Sequence, residues 1–394
     1  MRGEEWIEDE LKGLRAKKLD RHLVTYGQVG GKIDVDGRPC LNFSSNDYLD
    51  LAHHPEVVAA SREYLERFGC GATASRLVTG TLTAHREIEA ALAALKGYPG
   101  AILFGSGFLT NAGVIPALVG REDHVFADKL IHASIVDAIV LSRANLRRFR
   151  HNDAGHLEAL LRQCPAGGRR LVVTESVFSM DGDLAPLPEI VRCAVENDAM
   201  IMVDEAHSTG VFGHGGCGLI RLHALEDSVN VSMGTLSKAL GGYGGFVACS
   251  ASLRELLINR ARAFIYTTGL PPSVVGSAMG ALKVLRENPD LGARLLSNAA
   301  LFRRRLQDAG LNTGDSRSQI VPVVIGDNQR ALEVARKLKS KGILAVAMRP
   351  PTVPRGTARL RLSITLAHTP NDLEWAARKI AATVAGESPP RKTI

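Results

Sequence analysis

The sequence predicts an α/β fold: a large unit built on a mostly parallel sheet, followed by a smaller α+β unit. Three observations carry that expectation. Short apolar runs at 101–104, 124–127, 170–174, 199–203 and 245–248 lack polar alternation, as strands buried on both faces do. Helical stretches such as 83–96 and 186–197 lie between them, and strands alternating with helices imply a parallel sheet covered on both sides. Further on the rhythm changes: Arg359-Leu360-Arg361-Leu362-Ser363-Ile364-Thr365 alternates polar and apolar with period two. That segment is expected to be a half-exposed antiparallel strand.

Taken in order, residues 4–19 read as a charged amphipathic helix, and an extended arm through Gly27, Gly30 and Gly31 follows. The strand–helix units come next, with a further apolar run at 229–233. A long helical region covers about 273–310, then a strand at 319–326, a helix at 329–341 and a strand at 343–348. Thr369 is expected to cap the last helix, with Pro370 in its first position, where the missing N–H has no intrahelical acceptor to lose. The tail 387–394, with Pro389-Pro390, is expected to be disordered. The expected division is an N-terminal helix and arm (1–45), a large domain (46–285) and a small C-terminal α+β domain (286–394).

At 394 residues the chain can bury a large core, and its 45% hydrophobic and 23% charged content is that of a soluble globular protein. No apolar run reaches the roughly 18 to 20 residues that a membrane span requires. The start, Met1-Arg2-Gly3-Glu4-Glu5-Trp6, carries acids rather than the apolar core of a secretory signal. The cysteines are scattered without a Cys-x-x-Cys pair, which argues against a zinc site or a disulfide framework and for a reducing cytoplasm; no metal is expected. Arg143, Arg147, Arg148 and Arg150 form a basic cluster without a binding module or interleaved aromatics. They read as a solvated face, so no nucleic acid is expected as partner.

Most of the chemistry lies in Gly234-Thr235-Leu236-Ser237-Lys238-Ala239-Leu240-Gly241-Gly242-Tyr243-Gly244-Gly245. This lysine has no acidic neighbours of the kind a surface helix supplies, and the glycines let backbone approach a ligand closely. The run looks like an attachment site for pyridoxal 5′-phosphate (PLP), with Lys238 holding the aldehyde and the hydroxyls, Thr235 among them, binding phosphate. Asp204 ends the 199–203 run, so it should project from the carboxyl end of a buried strand, where ligands of open α/β sheets gather. Alone it reads equally as a helix N-cap. With Lys238 34 residues on (238 − 204), it becomes a partner for a pyridinium N–H, which offsets the cost of burying a carboxylate. His207, in Asp204-Glu205-Ala206-His207, either meets the cofactor's phenolic oxygen or structures the turn.

Gly105-Ser106-Gly107-Phe108 follows a strand and opens a helix, so first-turn amides and the helix dipole make an anion site. Gly107 and Phe108 are the expected phosphate cup. The G-x-G-x-x-G at Gly213, Gly215 and Gly218 follows no strand and is expected to be a loop, not a dinucleotide site. His132 and Ser179 each come just after a strand and reach the same sheet edge. A histidine such as His132 is either structural or, in an α/β PLP enzyme, the ring that stacks on the cofactor.

Together with Asn42-Phe43-Ser44-Ser45-Asn46-Asp47-Tyr48-Leu49, Phe178-Ser179-Met180-Asp181-Gly182-Asp183, Asp204-Glu205-Ala206-His207-Ser208-Thr209-Gly210 and Ile265-Tyr266-Thr267-Thr268, these motifs resemble the α-oxoamine synthase family. The resemblance runs nearly the whole chain. It implies the PLP-dependent transferase fold of aspartate aminotransferase, condensation of an amino acid with an acyl thioester, loss of carbon dioxide, and a homodimer with shared active sites. It implies catalytic roles for Lys238, His132 and His207, and a phosphate contact from Thr268 in the other subunit. Arg361 would grip the substrate carboxylate, Asn46, His132 and Thr352 would line the substrate site, and Arg21 would meet the acyl group. Arg147-Arg148-Phe149-Arg150-His151-Asn152-Asp153 and Met348-Arg349-Pro350-Pro351-Thr352-Val353-Pro354 are most similar to members that join L-alanine to a pimeloyl thioester, carried on coenzyme A or a carrier protein. The loop 239–245 is equally similar to glycine acetyltransferases and 5-aminolevulinate synthases. Glycine C-acetyltransferase is therefore the alternative, and a PLP aminotransferase the reading from a different class.

Overall fold

The computed structural model describes residues 3–17, 19–27, 30–35 and 37–386; the tail expected to be disordered, 387–394, lies outside the described residues. The first helix, Glu5–Ala16, buries none of its side chains. After an irregular segment, β1 (Lys32–Val35) and β2 (Arg38–Asn42) form an antiparallel hairpin.

The large sheet contains β3 (Gly100–Phe104), β4 (His124–Asp128), β5 (Asn145–Phe149), β6 (Arg170–Glu175), β7 (Met200–Asp204), β8 (Val231–Thr235) and β9 (Gly245–Cys249). Their spatial order is β3-β9-β8-β7-β6-β4-β5. Strands β4 to β8 are parallel, and β9 is antiparallel to both neighbours. Alternate residues feed two separate cores: Phe126, Val172 and Ile201 enter one, and Val125, Val173 and Met202 the other. With both faces covered by apolar neighbours, these strands need no polar positions, hence their unbroken apolar runs. Strand β5 escaped the sequence reading because it lies within the basic run. At the sheet edge its Arg148 stays exposed, and charge on an edge strand discourages pairing with another chain.

From β4 the chain moves to one edge of the sheet, and from β6 through β7 to β8 it moves toward the other. The carboxyl ends of β4 and β6 therefore meet at a topological switch point, where open α/β sheets form their ligand crevice. Behind this edge, Lys96 and Glu205 form an ion pair with no exposed side-chain surface. Glu205 also accepts hydrogen bonds from Ser208 Oγ, Ser232 Oγ and the Ile220 amide. Removing one partner of such a pair strands a buried charge and costs about 3–5 kcal/mol. The pair anchors the backbone immediately after Asp204.

Two helices, Pro272–Glu287 and Leu291–Asp308, occupy the long helical region expected at 273–310. The small antiparallel sheet is built from β10 (Ile320–Gly326) and two later strands. The expected strand at 343–348 is split in two: β11 (Ile343–Leu344) pairs in parallel with β2, whereas β12 (Val346–Met348) pairs with β13 (Ala358–Ser363). The order β10-β13-β12 makes β13 the central strand. Thr369 caps the last helix, Pro370–Ala385, through a capping box with Asp372.

The half-exposed strand is corrected by the structure, since all six residues of β13 are buried. Leu360 and Leu362 enter the core, while Arg359 and Arg361 face the loop at 178–183. Alternation separates the two faces of a strand but does not say whether water or protein covers the polar one.

Candidate active site

Lys238 lies in the turn between β8 and β9, where its carbonyl accepts from the Gly241 amide at 2.9 Å. Gly241 has φ +63°, and a Cβ there would lie 2.5 Å from the Ala52 nitrogen. The turn needs glycine both for its left-handed backbone and for that close approach. Burial pushes the Lys238 pKa down to about 8, with Arg361 acting in the same direction and Asp204 and Glu175 opposing. Its Nζ lies 3.1 Å from His207 Nε2.

His207 is 5% exposed, and burial, reinforced by the charges of Lys238, Arg361 and His132, holds its pKa well below 6.5. A neutral imidazole has one donor and one acceptor nitrogen. Because the Lys238 amine donates to Nε2, Nδ1–H donates to Tyr48 Oη at 2.7 Å, and the network thereby assigns the tautomer. Tyr48 Oη donates onward to Asn46 Oδ1 at 3.2 Å. Burial raises the Tyr48 pKa despite the neighbouring Arg361, which keeps the phenol a donor. Arg361 closes the network: Nη1 donates to Asn46 Oδ1 at 3.2 Å and to Ser363 Oγ at 2.9 Å, and Nη2 reaches Tyr48 Oη at 3.4 Å. Its Nε donates to the Ser179 carbonyl at 2.6 Å. Gln319 Nε2 fixes the turn itself by donating to the His207 carbonyl at 2.9 Å.

Across the crevice, Asp204 ends β7 and is 6% exposed. Its Oδ1 accepts from the Ala206 amide at 2.9 Å and its Oδ2 from Asn111 Nδ2 at 3.2 Å. Asn111 Nδ2 also donates to Ser134 Oγ at 3.0 Å, and Ser134 donates through its hydroxyl (2.7 Å) and its amide (3.2 Å) to His132 Nδ1. The chain of contacts therefore runs from Asp204 to His132. Burial of the ring lowers the His132 pKa, and Asp204 opposes the shift. The His132 amide donates to Glu175 Oε1 at 2.5 Å. Glu175 stands opposite Asp204 in the β6–β7 register, and burial together with that neighbouring carboxylate raises its pKa well above 4.5.

The segment expected to hold phosphate opens the helix Gly107–Leu118, where Ser106 Oγ accepts from the Leu109 amide. The amides of Gly107 and Phe108, between the cap and Leu109, have no intrahelical acceptor. A Cβ on Gly107 would lie 3.2 Å from Met233 Cε and 3.7 Å from Thr235 Cβ, so the helix start and the lysine segment are in contact. Thr235 Oγ1 donates to the Gly244 carbonyl at 2.8 Å and lies 2.7 Å from Ser237 Oγ. Phe108 is exposed.

These groups fit PLP. A buried carboxylate, an amine of lowered pKa and an anion-binding helix start beside hydroxyls converge on one sheet edge. The buried Asn111 Oδ1, beside Asp204, has no hydrogen-bond partner among the described residues.

Three expected site residues share no hydrogen bond with the cluster among the described residues. Arg21 is exposed in the irregular segment after the first helix, Thr352 is exposed in the loop before β13, and Thr268 is exposed beside an isolated bridge to Ser75. Tyr48, Asn111 and Glu175 also belong to the cluster. Glu175 carries the same sequence signal as Asp204, an acid closing a buried apolar run; Tyr48 carries none beyond its motif, and Asn111 carries none.

The aminotransferase class I and II family matches residues 38–380. An 8-amino-7-oxononanoate synthase from Geobacter sulfurreducens is 47% identical over 378 residues, covering 95% of this chain and 97% of that protein. A solved 8-amino-7-oxononanoate synthase from Francisella tularensis is 30% identical with a TM-score of 0.77, covering 88% of this chain and 98% of that one. A serine palmitoyltransferase from S. paucimobilis, solved with bound PLP–myriocin, is 34% identical with a TM-score of 0.90, covering 96% and 97%. Among the described residues no helix is long and apolar enough to cross a membrane. From the breadth of these matches, the chain belongs to the aminotransferase class I and II family and, within it, to the α-oxoamine synthases.

Proposed function

We propose that this protein condenses L-alanine with a pimeloyl thioester to give 8-amino-7-oxononanoate, carbon dioxide and the free thiol carrier, as a step of biotin synthesis with PLP as cofactor. Its 47% identity to an 8-amino-7-oxononanoate synthase supports the reaction. The structural observation that carries the reading is the half-buried Lys238 amine, of lowered pKa, linked through His207 and Tyr48 to Arg361.

When bound, PLP supplies an aldehyde that takes up an amine and a ring that accepts the electrons released at the adjoining carbon. Asp204 would hold the ring-nitrogen proton, the Gly107 and Phe108 amides and the Thr235 hydroxyl would hold the phosphate, and His132, Ser179 and His207 would contact the ring. Lys238 Nζ would hold the cofactor in the resting enzyme and serve as the base for the α-proton of alanine; a base with a pKa of about 8 is matched to work near neutral pH. Arg361 holds the carboxylate of alanine, which sets the bond at the α-carbon that breaks. Asn46 and Thr352 would line the substrate site, and Arg21 would meet the acyl group.

The test is paired. Purified holoenzyme is given L-alanine with pimeloyl-CoA, or glycine with acetyl-CoA, and thiol release is followed. Release with the first pair only is expected; release with the second pair only would make the protein a glycine C-acetyltransferase.

Arg361→Lys should raise half-saturating L-alanine by about 10–100-fold, because lysine cannot reproduce bidentate recognition worth roughly 1.5–3 kcal/mol. PLP affinity should barely move. A spectrophotometric titration giving wild-type alanine affinity would remove Arg361 from this role.

The proposed assembly is a C₂ dimer in the cytoplasm, with Thr268 of one subunit at the phosphate of the other. The exposure of Thr268, which leaves it open to a second subunit, supports this. Sedimentation of the holoenzyme should give a dimer, and a fully active monomer would contradict it.

A further inference from the structure

One motif takes no part in these steps: Arg150-His151-Asn152-Asp153, directly after the edge strand β5. His151 Nδ1 lies 3.0 Å from Asp128 Oδ1, and its Nε2 lies 2.7 Å from Asp183 Oδ2. With a carboxylate at each nitrogen, both nitrogens donate, so the ring is an imidazolium. Asp128 ends β4 and is fully buried; it also accepts from the Leu130 and Asn152 amides, each at 2.8 Å. It therefore shapes the turn that leads to His132.

Asp183 closes the loop at 178–183. Its carbonyl accepts from the Phe178 amide at 3.1 Å, and its carboxylate from Asn152 Nδ2 at 2.7 Å. The His151 ring meets Phe178 edge-on, with centroids 4.4 Å apart. This loop presents the Ser179 carbonyl to Arg361 and the Asp181 carboxylate to Arg359. One cation thus ties the His132 turn to the loop that seats Arg361.

We propose that His151 is a positioning residue for amino-acid binding: by bridging Asp128 and Asp183 it fixes the distance between the two walls of the cleft and aims Arg361 at the substrate carboxylate. The inference rests on the role of Arg361 given above. Burial opposes the charge, but the two carboxylates carry the His151 pKa up to about 10. The sign follows from linkage: the bridge contributes fully below the ordinary histidine pKa of 6.5 and loses its contribution as pH rises through about 10. At neutral pH the cation is in place.

The test compares holoenzymes of wild type, His151→Gln, Asp183→Asn and the exposed edge-strand control Arg148→Gln. L-alanine is titrated by cofactor absorbance, kcat and KM are measured, and amide hydrogen exchange is followed at 128–133 and 176–184. Both bridge variants should raise half-saturating alanine about tenfold, the scale of a lost charged hydrogen bond, with kcat within about threefold. Exchange in both loops should accelerate, and Arg148→Gln should match wild type. Folded bridge variants with wild-type alanine affinity would overturn the proposal, as would equal losses of kcat and soluble protein without a change in KM. If His151→Gln does not fold, Asp183→Asn decides by the same readouts. If wild type itself gives no alanine response, the amino-acid assignment falls, and unchanged loop exchange in the variants would overturn the bridge separately.

Discussion

Lys238→Ala should fold and bind PLP weakly, with turnover lower by about 10³–10⁴-fold, the scale expected when a proton-transfer group is removed. Borohydride treatment of wild-type holoenzyme should leave the cofactor fixed to Lys238, and the variant should carry none. The lowered pKa supplies a second, independent signature. Only the neutral amine attacks an aldehyde, so the rate at which apoprotein captures PLP should rise with pH around a midpoint near 8; a lysine with its ordinary value would place it near 10.5. A small amine added to the variant should restore part of the turnover by replacing the missing base. Cofactor found on another lysine, or a variant that retains wild-type turnover, would end the assignment.

Asp204→Asn should cost about 10²–10³-fold in turnover, comparable to removing one preorganised electrostatic group. Both carboxylate oxygens accept a hydrogen bond, from Ala206 and from Asn111. An asparagine at 204 has one accepting oxygen, so its amide faces one of those donors. The substitution also removes a charge that raises the pKa of both Lys238 and Glu175. The midpoint of PLP capture should therefore fall below 8, and the Glu175 carboxyl should ionise more readily. A midpoint left at the wild-type value would show that Asp204 is electrostatically remote from Lys238.

Much of the scaffold was legible because burial on both faces removes polar residues from a strand. The expected runs at 101–104, 124–127, 170–174, 199–203 and 245–248 all fall on observed strands, with only Ala199 lying just outside one. Where burial is one-sided the signal failed: edge strand β5 carries arginines facing water and read as a charged surface. The run at 343–348 could not disclose that its two halves hydrogen-bond to different sheets, since β11 pairs with β2, about 300 residues earlier, and β12 with the nearby β13.

The sequence by itself determined the α/β architecture and the identity of Lys238, Asp204, His132 and His207 as residues at one sheet edge, because each directly follows a run whose composition marks it as a buried strand. Tertiary structure alone decided what those residues touch. Arg361 lies 315 positions from Asn46 and 182 from Ser179, and Tyr48 lies 159 from His207. No local pattern encodes such contacts; they exist only when the C-terminal sheet packs against the large one. The same packing buries His207 and half-buries Lys238, and desolvation is the largest cause of both pKa shifts, so the chemistry available at the site is a property of the folded interior.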